Sequence, residues 1–205
     1  MVSRRYLRIK VFQTLYAYFQ SEGEPISKVE KELFLSVERM HDLYLLMLTV
    51  GEELIHQSKI RMDEAKKKNL PTDDDLNPNT KFIDNAVLGL LRNNTGLQSQ
   101  IKNKKLTWSN DQELMLKFFN FLRNHKVYEE YREIRDSSFE ADQKFVKDFY
   151  KKVIPDFDLV ISEIQDKSIF WGYDEMDFIL SMVLKTIKKM DVKSDASFKL
   201  LEVYR

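Results

Sequence analysis

The chain contains no cysteine. Disulfides, thiolate metal sites and cysteine nucleophiles are therefore excluded, and the composition fits a reducing cytoplasm, the expected location. Glycine occurs only five times and proline four times. With glycines so few and dispersed there is no GxxxxGK[ST] loop and no GxGxxG turn to cradle a phosphate. No run approaches the roughly 18 apolar residues of a membrane helix. The longest, Leu43 to Val50, is far shorter and includes Thr49. The N-terminus lacks the apolar stretch of a secretory signal, and no membrane partner is expected. An excess of either charge is also missing. Thirty-three basic residues balance 33 acidic ones. Any affinity for nucleic acid must then come from a local patch.

The groups that would make an enzyme do not converge either. The three histidines, His41, His56 and His125, have no metal-ligand spacing and fall in helices or at helix ends. Paired carboxylates such as Glu52-Glu53 and Glu129-Glu130 diverge by about 100° on a helix, as solvated faces do. Asp73-Asp74-Asp75 lacks the alternating ligands, glycine turn and late glutamate of a calcium loop. We expect no catalysis, no cofactor and no metal.

What is present is helix. Leu, Lys and Glu are abundant, and apolar residues recur at three- and four-residue steps from Leu7 to Ile187. The expected class is all-α: packed helical bundles with one long second helix. Two regions are read, an arginine-rich helix over 1–20 and a helical bundle over 21–205.

Ser21 to Pro25 breaks the first helix. Ser27 and Glu30 have the spacing of a capping box. Leu33, Val37, Met40, Tyr44, Met47, Gly51 and Leu54 then form a heptad-like seam. No strong breaker follows until Pro71, so a helix of about forty residues would span roughly 60 Å. A bend is expected at Gly51. Leu70 to Thr80 reads as a loop. Thr80 is placed to cap a helix reaching Asn94, with Phe82, Val87 and Leu91 inward. Leu97 to Trp108 fits either a helix or an extended connector. Asn110 to Glu113 opens a helix with capping-box spacing, and Phe118 and Leu122 lie on its core side. A short helix is expected over 127–135, another from Ser137-Ser138 to about Val153, and a third capped by Asp156. The last strong helix spans about Asp174 to Met190. A polar loop over 191–197 precedes the apolar Phe198 to Tyr204.

Two basic clusters invite a nucleic-acid reading. Lys102, Lys104 and Lys105 precede Trp108, a combination that suits single strands but equally a solvated connector with a core tryptophan. The stronger cluster opens the chain: Arg4, Arg5, Arg8 and Lys10, with no acid before Glu22. Ser3 is positioned as N-cap. Leu7, Val11, Leu15 and Tyr18 or Phe19 form an apolar stripe widened by Ile9 and Phe12, and it reads as the buried face. Arg4 and Arg8 fall on the same arc and extend that face at its N-terminal end. Cations there oppose the helix dipole, by roughly 0.3–1 kcal/mol each at low salt. A helix selected only for stability would carry acids instead.

Arg4-Arg5-Tyr6-Leu7-Arg8 followed by Phe12-Gln13-Thr14-Leu15-Tyr16 resembles the opening of the NusB family of bacterial transcription antitermination factors. Arg4, Arg5 and Arg8 match its arginine positions, and Gln13, Leu15 and Tyr16 its Gln-x-Leu-Tyr core. Tyr6 and Ile9 depart from the pattern. Asn77 to Phe82, Phe170-Trp171 and Asp177 to Met190 resemble a longer branch with a large helical insertion. The resemblance implies an all-α, non-catalytic protein. It implies binding of single-stranded boxA-like RNA of nascent ribosomal RNA transcripts, together with the small-subunit ribosomal protein also called NusE. RNA polymerase would be engaged indirectly. The implied RNA-binding residues are Arg4, Arg5, Arg8, Lys10, Gln13 and Tyr16. The family's C-terminal Asn-Glu-x-Ile-x-Leu and Phe-Val-Asn-Gly runs are not found. From this we expect an N-terminal part of a longer protein, with an apolar patch exposed on its helices.

Overall fold

The computed structural model describes residues 4–21, 23, 25–135 and 137–201; the Arg5 side chain, Ser3 and the 202–205 segment lie outside the described residues. Among the described residues there are ten α-helices and no strand. They are α1 (Arg4–Gln20), α2 (Ile26–Lys66), α3 (Asp73–Leu76), α4 (Ala86–Arg92), α5 (Thr95–Lys104), α6 (Gln112–Arg123), α7 (Lys126–Glu133), α8 (Phe139–Asp148), α9 (Asp158–Lys167) and α10 (Tyr173–Lys189). A 3-10 turn, Ser109–Asp111, leads into α6, and a π-helical turn, Phe149–Val153, extends α8. No described helix is long and apolar enough to cross a membrane.

The long second helix is the axis of the molecule. Helices α1, α3, α4, α5, α6 and α10 all pack against it. Its heptad seam is buried from Met40 onward, but burial extends well beyond one stripe. Leu43, Tyr44, Leu45, Leu46, Met47 and Leu48 are consecutive and all inaccessible, so the middle of α2 is enclosed on every side. At about 1.5–3 kcal/mol per buried large apolar side chain, this stretch is the main source of cohesion. Several polar atoms that enter the core are paired. The Tyr44 hydroxyl and Thr186 Oγ1 are 2.6 Å apart, the Tyr150 hydroxyl donates to the Met47 carbonyl at 2.7 Å, and Trp108 Nε1 donates to the Leu46 carbonyl. Burial pushes the Tyr44 phenol up to about 12.

Helix α2 runs unbroken through Gly51. The glycine's role there is close approach: a Cβ at this position would lie 2.6 Å from Leu88 Cδ2 of α4. Several helix starts differ from the sequence expectation. Pro25, not Ser27, precedes α2, where its fixed φ suits the helix entrance. The acidic loop contains α3, closed by a Thr72–Asp75 capping box. Asn85, not Thr80, caps α4, because Tyr131 and Asp142 hold it: Asn85 Nδ2 donates to the Tyr131 hydroxyl, which donates to Asp142 Oδ1 at 2.6 Å. Asn94 caps α5, so Gly96 lies inside a helix rather than ending one. Ser138 and His125 cap α8 and α7 with their side chains, whereas Asp111 and Phe157 precede α6 and α9 without a side-chain cap.

Candidate nucleic-acid interface

Helix α1 is held to the body by an inward polar face. Tyr6 is buried and stacks on Phe178 of α10. Its hydroxyl donates to Glu175 Oε1 at 2.7 Å. Lys10, also buried, donates to the same carboxylate oxygen and forms an ion pair with it. The second oxygen of Glu175 accepts from the Gly172 backbone amide at 2.9 Å, which places the carboxylate at the start of α10. Burial raises the Glu175 carboxyl, but the hydrogen bonds from Lys10 and Tyr6 outweigh it and hold the pKa below its ordinary value. Burial, followed by the bond to this carboxylate, drives the Tyr6 phenol far above its ordinary range.

This anchoring reverses the expected orientation of α1. Tyr6 and Lys10 are its buried positions, with Thr14 and Tyr18 half-buried beyond them, while Leu7, Val11 and Leu15, expected inside, are 37%, 40% and 41% exposed and flank that face. Phe12 and Phe19 are 69% and 78% exposed. The reason lies in composition. Apolar residues surround almost the whole of α1, so local pattern alone selects no face. The long-range partner Glu175 does.

The arginines follow the stripe outward. Arg4 and Arg8, one turn apart, are exposed, and neither makes a salt bridge or hydrogen bond among the described residues. Successive residues rotate by about 100°, which puts Val11, Phe12, Leu15 and Phe19 on the same outward arc. Tyr16 is 60% exposed at the edge of that arc. Gln13, also exposed, is about 180° from Arg4 and lies beside Lys10 instead. Both line a groove of about 490 Å³ between α1, the start of α2 and the Ile169–Gly172 segment. The structure thus joins Arg4, Arg8 and Tyr16 on one surface. Gln13 is about 140–180° from the two arginines although only one turn from Tyr16, and Lys10 is buried and paired with Glu175. Arg5 is carried on the same helix, its side chain outside the described residues.

Phe12 and Phe19 were not among the sequence candidates. The signal for them was present, since a stripe that carries Arg4 and Arg8 is a poor stripe to bury. Comparison with family models, with curated proteins and with solved structures returns no match.

The second basic cluster dissolves as a surface. Trp108 is buried, so its ring is closed to a base. Lys104 bridges Asp42 at 2.7 Å and Glu38 at 2.9 Å, tying α5 to α2. Among the histidines, His125 Nδ1 accepts from the Val127 amide as a helix cap.

Proposed function

We propose that this chain is a single-stranded RNA-binding protein acting in transcription antitermination, in the manner implied by the NusB resemblance. The observation that carries the reading is the outward arc of α1. Two exposed guanidinium groups, without a salt bridge among the described residues, lie one turn apart beside solvent-exposed aromatic rings, with no acid in the helix. Arginine supplies both a phosphate fork and a plane for stacking, and exposed Phe and Tyr rings stack on unpaired bases. Lys10 serves as an anchor that orients this face rather than as a contact. NusE and the boxA-like RNA are the partners to test.

The test is a titration of a fluorescent boxA-like RNA, with and without the ribosomal protein, into the wild-type chain and into Arg4→Ala/Arg5→Ala/Arg8→Ala. Binding that is weakened at least ten-fold at unchanged helicity supports the reading. Equal affinity sinks it. A second reading, a protein-interaction scaffold without RNA binding, is favoured by the exposed Leu7, Val11 and Leu15 on the same arc. It predicts that the ribosomal protein binds without RNA and that the triple variant leaves this binding intact.

A further inference from the structure

A second cavity lies far from α1, toward the other end of α2. It measures about 840 Å³ and is bounded by the Ser58–Ala65 part of α2, Lys68 just beyond that helix, the Asp74–Asn79 segment, the end of α6, and α7. Three arginines from three helices line it: Arg61 of α2, Arg123 of α6 and Arg132 of α7. None of the three guanidinium groups makes a salt bridge or hydrogen bond among the described residues, although the Arg132 carbonyl accepts from Asn79 Nδ2. Arg132 is held over the Tyr128 ring, 5.8 Å from its centroid. Arg123 is partly buried, and burial together with the guanidinium groups of Arg61 and Arg132 lowers its pKa. Tyr128 opposes this.

Three like charges gathered from separate elements repel one another, and a fold gains nothing from that arrangement by itself. An oxyanion between them would reverse the sign of the interaction. The cavity also has an apolar side, formed by Met62, Phe119 and Tyr128. Its volume falls in the roughly 300–1,000 Å³ range of small-molecule sites. Glu64, Asp74 and Asp75 line it too, with Asp75 neutralised by Lys68 at 2.8 Å. Those carboxylates would repel a long polyanion but leave room for a compact one. We propose that this cleft binds a phosphorylated small molecule, with Arg61, Arg123 and Arg132 on its phosphate oxygens and Met62, Phe119 and Tyr128 against its organic part.

The experiment is calorimetric titration of inorganic pyrophosphate, ADP and adenosine at fixed ionic strength. Pyrophosphate and ADP should bind saturably to the wild-type protein, and adenosine should not. Arg123→Gln/Arg132→Gln should weaken both phosphates by about ten-fold or more, the scale of hydrogen bonds to charged groups. Arg61→Gln, on an exposed residue of α2, should weaken them in the same direction and does not depend on the fold tolerating a change at Arg123. Arg4→Ala/Arg8→Ala should bind them as the wild type does. Absence of saturable binding by either phosphate overturns the proposal. So does equal affinity in the Arg61 and double variants. A third overturning result is an RNA oligonucleotide that needs these arginines while pyrophosphate and ADP fail to bind.

Discussion

Tyr6 stacks on Phe178 with ring centroids 4.7 Å apart and planes inclined by 24°, which joins the N-terminal helix to the last one. The hydroxyl of the same tyrosine shares Glu175 Oε1 with Lys10. One carboxylate thus sets which face of α1 looks outward, and everything inferred about Arg4 and Arg8 depends on it. Glu175→Gln would leave the Lys10 ammonium without a counter-charge. Removing one partner of a buried pair costs about 3–5 kcal/mol, and the long lysine stem that can reach water favours the lower end. Urea denaturation should show a loss of roughly 3 kcal/mol, and hydrogen exchange should place the earliest opening in α1. Unchanged protection of the α1 amides would refute this anchoring.

The same pair predicts a pH dependence. The folded pKa of Glu175 lies below its ordinary value of 4.5. A depressed carboxylate contributes stability that is present above the unfolded pKa and is lost as pH falls through the folded one. The stability difference between the wild type and Glu175→Gln should therefore be full at pH 6 to 7 and shrink as acid is added below about 4.5. A difference that is constant down to pH 3 would show that the ionised carboxylate is not what holds α1.

Gly51→Ala tests the crossing of α2 and α4. Alanine favours the helix by about 1 kcal/mol over glycine. Its methyl carbon would meet Leu88 Cδ2 at 2.6 Å, however, inside any tolerable contact. Overpacking costs typically 1–3 kcal/mol, so the net change should be a destabilisation of up to about 2 kcal/mol. Leu88→Ala in the Gly51→Ala background should recover part of it, giving a favourable coupling in a double-mutant cycle. Gly51→Ala alone raising the melting temperature would count against the close approach.

Much of the helical layout was legible because it is local. The last helix, expected over about Asp174 to Met190, is α10 at Tyr173–Lys189, and Ser138 caps α8 where its spacing put it. What was not legible depends on residues distant in the chain. Thr80 and Asn85 are both competent caps, and only Tyr131 and Asp142 decide between them. The stripe of α1 was assigned to the interior because apolar side chains are normally buried. The inward face instead holds a lysine whose partner lies on the last helix. Arg61, Arg123 and Arg132 have no common sequence pattern, so their meeting in one cleft is a product of packing alone.

The orientation of α1 also separates two kinds of positive charge in RNA binding. Arg4 and Arg8 are solvated and make no salt bridge among the described residues, so each phosphate contact they make would release counterions. Each arginine replaced by alanine should lower the log–log salt slope by roughly 0.7 for a single strand. Lys10 is different, because Glu175 already neutralises it inside the fold. Lys10→Met should weaken binding only by loosening α1, leaving the salt slope at its wild-type value. Arg8→Lys keeps the charge and hence the slope, yet should lose affinity if the guanidinium stacks or binds bidentately, since an ammonium has neither plane nor fork. The measurement is a set of RNA-binding isotherms across a series of salt concentrations for the wild type and the four variants. A slope that falls for Lys10→Met as much as for Arg8→Ala would mean that the ion pair with Glu175 opens on binding, and would return Lys10 to the contact surface.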